Sequence, residues 1–553
     1  MNLRLGRKLS CQRRLASPPG LLPGNQRILG HLPLIVRKAR VGVPFGAVVA
    51  ELFDKDEEGR ETAQISLPGS GDCVVITRSP LVVKEILQQQ MRTGVAERVN
   101  GPMFDLFFEE LAKGSKEFAP VKPGMLGSQG QRWKELRTAV SPVLMKPQAS
   151  AALAKQFAPI ARDFVEFVKS SSQNAQLPEE VAQYLDTIGS GKRVGVLLNT
   201  NRSMMNLALE SIVAVITNMR LGVIPPLSRE SAELFTKEEH VDFLDTVHAF
   251  FHAMGGAVKM APLIPLHKQL RRLFNRGFPS LDSFVYNGLK LMHIVRTAVD
   301  KSIEVSPVQE VEPRTLDIDK RSVRDMLLDH PTLSKEDATS VLLELVVWVL
   351  YHMATNHEQF ELVRDEVRAL YEESNSNDEV FATKLTNAPR LRAVVNETLR
   401  LRPPIDGTTR RMPEDLSLER ACPVTGPFAD SSNFGKVAPK NSFVITPNQT
   451  MAMDKRVFGD NVASFDHMRW LKRNKNGDLK FDPLGTPVRF FGLGMRQCVG
   501  RRVAAAEIQV VLGFLFAEVE QFYLLHETGF QPKVDEGLVR KPGEAIRIAM
   551  SFR

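Results

Sequence analysis

Cysteine is scarce: the 553 residues contain four, at positions 11, 73, 422 and 498. They lie too far apart for a zinc pattern and are too few for a disulfide framework, which is consistent with a reducing compartment. Acidic side chains are missing from one region. Residues 1–50 hold nine Lys and Arg (Arg4, Arg7, Lys8, Arg13, Arg14, Arg27, Arg37, Lys38 and Arg40) and no Asp or Glu, where the acidic share of the whole chain would place about six. This is the composition of a leader addressed to the mitochondrial matrix. It predicts a targeting leader and Pro-rich hinge over residues 1–40, followed by one body over 41–553. The leader region also has no run of some twenty apolar residues, so neither a membrane-spanning anchor nor a secretory signal is supported there. Setting aside its nine cations leaves 63 basic against 64 acidic side chains. The net charge of +8 therefore belongs to the leader, and it implies no nucleic-acid partner.

One window near the C-terminus concentrates unusual residues: Phe491-Gly492-Leu493-Gly494-Met495-Arg496-Gln497-Cys498-Val499-Gly500. Gly494 and Gly500 permit positive φ and close approach of the backbone to a flat partner. Arg496, two residues before the thiol, can meet a carboxylate. Beyond Gly500, Ile508, Val511, Leu512, Leu515 and Val519 recur at three-to-four-residue spacing, which predicts a helix whose N-terminal dipole points back at Cys498. A helix N-terminus, a nearby cation and a metal ion each lower a thiol's pKa, so the window suits a thiolate ligand. A lone cysteine is more often a small buried hydrophobe. Here, however, Phe491, Gly494, Arg496, Cys498 and Gly500 together resemble the haem-ligand loop of the cytochromes P-450. The resemblance implies haem b with Cys498 as the axial thiolate of its iron, a ligand that favours O–O cleavage.

Further landmarks of that family occur in order. Glu397-Thr398-Leu399-Arg400 resembles its Glu-x-x-Arg helix, where i,i+3 spacing puts acid and base on one face. Leu401-Arg402-Pro403-Pro404 follows. Phe465-Asp466-His467-Met468-Arg469-Trp470 is similar to the family's Phe-x-Pro-x-Arg-Trp segment, with His467 where proline is usual. The resemblance implies a buried Glu397, Arg400 and Arg469 cluster that braces the haem loop. Trp133-Lys134-Glu135-Leu136-Arg137 resembles the helix whose indole N–H and guanidinium meet the haem propionates, carboxylates that need fixed donors. Arg410 occupies the place of another propionate-binding arginine, with Arg411 beside it as the alternative.

Other segments resemble the animal mitochondrial branch. Leu207 to Ile224 looks like that branch's helix E, and Gly500-Arg501-Arg502 continues its haem loop. Two arginines in a helix's first turn oppose its dipole, a placement that suits a surface for an acidic partner. The branch implies a mitochondrial ferredoxin served by an NADPH-dependent ferredoxin reductase, with Arg392, Arg501 and Arg502 on the docking face. It also implies peripheral attachment to the matrix side of the inner membrane. A lipophilic substrate would meet the segments around 248–259 and 274–278.

The fold class that follows is mainly α: the P-450 fold, a large helical body with a small β region. Ala63–Leu67 and Cys73–Thr77 alternate like the strands of a hairpin around Pro68-Gly69-Ser70-Gly71. A helix is expected over Pro80–Gln90, with loops over Ser170–Pro178, Glu304–Asp319 and Ala421–Lys436.

The chain departs from the family at one chemically decisive place. The helix that crosses the haem normally carries Ala/Gly-Gly-x-Asp/Glu-Thr, whose acid and alcohol deliver protons to dioxygen, and no such motif occurs. Aligned from the end of that helix, Thr339 and Ser340 offer hydroxyls. Aligned from its start, about ten residues, or three turns, are missing and Glu344 is the candidate acid. The apolar run from Leu342 to Leu350 also reads simply as helix core. Three functions stay open: a monooxygenase hydroxylating a sterol, steroid or other lipophilic molecule; a peroxide-rearranging haem isomerase or dehydratase; and a catalytically impaired haem-binding protein or a truncated gene model of an active enzyme.

Overall fold

The computed structural model describes residues 45–57, 60–65, 73–94, 102–120, 128–174, 193–217, 220–222, 236–260, 264–274, 277–305, 345–405, 407–418, 436–483, 490–492, 494–535 and 540–553, with isolated positions elsewhere. In chain order its helices are α1 (Phe45–Asp54), α2 (Pro80–Thr93), α3 (Pro102–Lys113), α4 (Gly130–Leu144), α5 (Pro147–Asn174), α6 (Thr200–Thr217), α7 (Lys237–Met260), α8 (Ile264–Phe274), α9 (Pro279–Val305), α10 (Leu345–Thr355), α11 (His357–Glu372), α12 (Asp378–Leu385), α13 (Pro389–Leu401), α14 (Asn448–Ala452), α15 (Lys455–Phe458) and α16 (Arg501–Glu518). The expected mainly helical body with a small β region is what this order gives.

Helix α16 is the centre of the core. Val510 to Ala517 are all buried, so the helix is apolar on every side, as a helix surrounded by protein must be. It packs with α5 through residues such as Phe157, Phe164, Leu512 and Phe516, and with α10 to α13 through Val349, Phe360, Phe381 and Leu391.

The small β region is a four-stranded sheet. β1 (Thr62–Ile65) and β2 (Val74–Thr77) pair antiparallel with Ile65 opposite Val74, next to the parallel strand β7 (Phe443–Pro447), which pairs antiparallel with β4 (Gly407–Arg411). The hairpin strands thus fall where sequence alternation places them, while the turn residues 66–72 lie outside the described residues. A separate three-stranded sheet joins β3 (Arg193–Leu197) to the C-terminal strands Val519–Leu524 and Ile548–Phe552, and the short strands β5 (Leu416–Ser417) and β6 (Val437–Ala438) pair antiparallel with each other.

Several boundaries differ from the expected ones. Helix α2 runs to Thr93 rather than Gln90. Ser79 caps its start by accepting from the Val82 N–H, and Gly94, at φ 64°, ends it in the left-handed conformation that glycine adopts freely. The expected loop at 170–178 is helical as far as Asn174; the Ser170 and Ser171 hydroxyls bond back to the Phe167 and Val168 carbonyls, so serine did not break the helix. Helix α9 continues through Val305, past the expected break at Glu304. The rest of that loop, like residues 421–435, lies outside the described residues.

The 207–224 segment is not one helix. α6 stops at Thr217, and Arg220 returns to bond Glu210 at 2.5 Å and Asp163 at 2.7 Å. Glu210 also accepts the Leu221 N–H at 3.1 Å. Among the described residues no helix is long and apolar enough to cross a membrane.

Candidate haem-thiolate site

Cys498 sits between a single 3-10 turn, Gly494–Arg496, and the start of α16. Its thiol is part-exposed, three residues ahead of Arg501 at the helix N-terminus. The loop is held by its own backbone: Cys498 N–H donates to the Phe491 carbonyl at 2.8 Å and Gln497 N–H to Gly494 at 3.1 Å. Two glycines make this possible, with Gly492 at φ 71° and Gly494 at φ 64°. A Cβ at position 494 would also lie 2.8 Å from the Leu87 methyl, so only glycine lets the loop lie against α2. Phe491 packs on the main core, and Gly500 is buried at the α16 cap.

Cationic donors surround the loop. Arg137, on α4, donates to the Gln497 carbonyl and lies 3.1 Å from the Met145 sulfur. Burial pulls its pKa down, and the negative charge available at Cys498 pulls it back up. Arg496 bonds the Ser128 carbonyl at 3.2 Å and the Gln129 side chain, and its guanidinium stacks over the buried Trp133 ring.

Arg410 is buried on β4 and lines a cavity with Gln90, Thr408, Asn448, Met451 and Gly492. Arg411 instead stacks on Phe443, 4.9 Å from the ring centroid. Alternation along the strand separates the two arginines, and Arg410 is the one on the loop side.

A part-exposed thiol at a helix N-terminus, three guanidinium groups and an indole therefore share one neighbourhood. That donor set suits an iron with a thiolate axial ligand and two pendant carboxylates, so the residues fit a haem.

A second cluster centres on Glu397, on α13. Arg400 grips both Glu397 oxygens at 2.8 Å, and Arg469 Nε reaches one of them at 3.0 Å. The remaining acceptor capacity is filled by the Trp470 indole N–H at 2.9 Å and the Asp466 backbone N–H at 2.9 Å. Arg400 further donates to the carbonyls of Ala452, Val462 and Ser464. Side chains of Glu397 and Arg400 are fully buried. Such a buried ion pair is tolerable only because every polar atom is partnered. The family resemblance implied the two arginines and did not assign Trp470 to the cluster, although it directly follows Arg469.

His467, where the family has proline, also has a partner. Its backbone N–H and its Nδ1 both approach the Gln359 Oε1, at 3.0 and 2.7 Å, while Gln359 Nε2 donates to the Phe465 carbonyl at 2.8 Å. Proline would have removed the first of these donors. Burial and nearby Arg390 hold the imidazole well below its usual range, at about 4, so it is neutral.

Residues 339–546 match the Cytochrome P450 family. The chain is 26% identical over 397 residues to "Cholesterol side-chain cleavage enzyme, mitochondrial" of Capra hircus, covering 70% of this chain and 65% of the goat protein. It is 24% identical to "Sterol 26-hydroxylase, mitochondrial" of Rattus norvegicus over 429 residues, 74% of this chain and 69% of that one. The human sterol 26-hydroxylase is also 24% identical, over 80% of this chain and 74% of its own length. The match to the goat relative thus spans slightly less than two thirds of that relative. That family implies haem with a cysteine thiolate on its iron, and Cys498 lies within the matched segment.

The basic residues expected at the docking face lie on two neighbouring helices. Arg392, on α13, stacks on Phe481 at 4.4 Å, and its pKa is lowered by burial and then by the charge of Arg502. Arg502 is part of the architecture as well: its Nε donates at 2.7 Å to the Met145 carbonyl at the end of α4. Arg501 is partly exposed. Thr339, Ser340 and Glu344, the candidate proton donors, lie outside the described residues. Helix α10 is described from Leu345, with Val349, Leu350 and Met353 buried in the core.

Proposed function

We propose that this protein is a mitochondrial P450 monooxygenase that hydroxylates a sterol, steroid or other lipophilic substrate, with electrons from a ferredoxin reduced by an NADPH-dependent reductase. The observation that carries the reading is the Cys498 loop, braced by the fully partnered Glu397 cluster and ringed by Arg137, Arg410, Arg496 and Trp133. Bound haem b supplies the redox-active iron that activates dioxygen. The chain's own residues do the rest. The glycine-built turn fixes where the Cys498 sulfur stands at the N-terminus of α16, a setting that suits a thiolate ligand, and the guanidinium groups would hold the carboxylates of the cofactor.

Arg392, Arg501 and Arg502 give the cysteine side of the molecule a positive face that suits an acidic iron–sulfur ferredoxin. The names of the relatives support sterol-like substrates and a mitochondrial address, and the acid-free leader supports the same address. We place the protein peripherally at the matrix side of the inner membrane.

The decisive experiment is the ferrous–CO spectrum. The expected result is the red-shifted Soret band of a thiolate-ligated haem, abolished by Cys498→Ala; a histidine-type band in the unmodified protein overturns the reading. With ferredoxin, reductase and NADPH supplied, sterol hydroxylation is expected. Residues 1–50 fused to a reporter should carry it to the matrix, and retention in the endoplasmic reticulum would replace the ferredoxin with a flavoprotein reductase.

One feature of the sequence favours a second reading, rearrangement of a peroxide: the absence of the acid–alcohol motif. Product formation from a lipid hydroperoxide without NADPH or ferredoxin would select it.

A further inference from the structure

We infer that Gln90 is a haem-carboxylate contact of this chain, acting with Arg410 across one cavity; the inference rests on the haem reading above. Gln90 lies in the last turn of α2, four residues before the helix-ending Gly94. Its side chain is only 3% exposed, yet its Oε1 has no hydrogen-bond partner. Buried polar groups are paired with few exceptions, and each exception calls for a reason.

The surroundings supply one. Gln90 lines the same cavity as Arg410, Thr408, Asn448 and Gly492, between α2, the β4–β7 edge and the Cys498 loop. It also touches the loop directly: a Cβ on Gly494 would lie 3.2 Å from Gln90 Oε1. Its neighbour Gln89 points elsewhere and bonds the Glu414 and Asp415 carbonyls at 3.3 and 3.4 Å, fastening α2 to the segment after β4. Gln90 takes no part in that fastening.

Oxygen and nitrogen of the amide exchange places by a half-turn of the terminal torsion. The group can therefore present N–H donors to an acceptor that enters the cavity. Arg410, on the opposite wall, selects an anion, and a carboxylate is the acceptor shared by a guanidinium and an amide. The uncharged amide adds a donor without setting a second buried cation beside Arg410.

The test uses haem-loaded protein and three variants, Gln90→Leu, Gln90→Glu and Gln90→Lys. Haem release is followed by transfer to excess apomyoglobin, and the iron midpoint potential is measured alongside. Gln90→Leu should release haem about fivefold faster, of the order expected for one lost hydrogen bond. Gln90→Glu should release it faster still, because carboxylate then faces carboxylate, while Gln90→Lys, which keeps a donor, should stay closer to the parent. The midpoint potential should fall in the Leu and Glu variants, since the cofactor's carboxylate then keeps more of its negative charge.

A purely structural role would lower the unfolding temperature and leave release rate and potential unmoved, and that result overturns the inference. Gln90→Glu has nearly the parent shape, so it carries the test if Gln90→Leu does not accumulate. Unmodified protein that takes up no haem overturns the haem reading itself; haem bound through thiolate with Gln90 variants unchanged overturns this inference alone.

Discussion

The Arg496 guanidinium lies 3.9 Å from the centroid of the Trp133 ring. The ring face, rather than the indole N–H, is thus what holds the arginine two residues before Cys498, and Trp133 is itself only 5% exposed. Cation–π pairs contribute about 0.5–2 kcal/mol, the larger value when desolvated. Trp133→Phe keeps a face and removes the N–H, whereas Trp133→Leu removes both. Haem release from the Phe variant should stay within about threefold of the parent, and from the Leu variant should rise about tenfold, equivalent to 1.4 kcal/mol. Equal loss in both would assign the role to the N–H.

Glu397 accepts five hydrogen bonds, two from Arg400 and one each from Arg469, Trp470 and the Asp466 backbone. Glu397→Gln leaves two guanidinium groups buried without their counter-charge, a change that costs about 3–5 kcal/mol. The expected outcome is loss of holoprotein on expression and a lowered unfolding temperature. Near-parent thermal stability would show that the cluster is dispensable.

Arg501 is partly exposed, whereas Arg502 also holds the end of α4. Arg501→Glu is therefore the cleaner probe of docking. It should raise the KM for ferredoxin several-fold at low salt, with the difference shrinking as ionic strength rises. The ferrous–CO band should stay unchanged. An unaltered KM would move the docking face elsewhere.

Glu507, on α16, is buried beside Ser211, and burial pushes its carboxyl up to about 8 despite the opposing pull of the hydroxyl. The folded protein holds this proton above the pH at which the unfolded chain releases it. Stability from this group is therefore intact below the unfolded value of 4.5 and lost progressively as pH rises toward 8, by up to about 1.4 kcal/mol per pH unit. Glu507→Gln should flatten that slope in denaturant titrations between pH 5 and 8. Identical slopes in parent and variant would mean that the carboxyl is ionised in the folded state.

General acid delivery typically contributes 10²–10⁴-fold to rate, and the acid–alcohol pair is absent from the chain. In the reconstituted system turnover should be slow, with electrons lost to peroxide, and peroxide-supported chemistry should be less impaired. Tight coupling of NADPH to product would show that Thr339, Ser340, Glu344 or ordered water already supplies the relay.

Local spacing was enough for several features. The helix after Cys498 and the Glu397–Arg400 face repeat at the α-helical period, and the hairpin strands alternate at the period of two, so nearest neighbours alone reveal them. Cys498 was nominated by the resemblance of Phe491, Gly494, Arg496, Cys498 and Gly500 to the haem-ligand loop, all five standing within ten consecutive residues. Contacts between distant segments were not legible. Gln359 meets His467 across 108 residues, Arg220 closes on Asp163 across 57, and Gln90 faces Arg410 from a different element. The choice between Arg410 and Arg411 needed the pairing of β4 with β7, which sets Arg410 opposite Val444 and Arg411 opposite Phe443. A one-residue shift of that register would exchange their faces. Sequence by itself therefore determined which side chains are candidates for the chemistry, because their types and spacing are local. Tertiary structure alone decided which of them meet, because burial and strand register depend on the whole chain closing on itself.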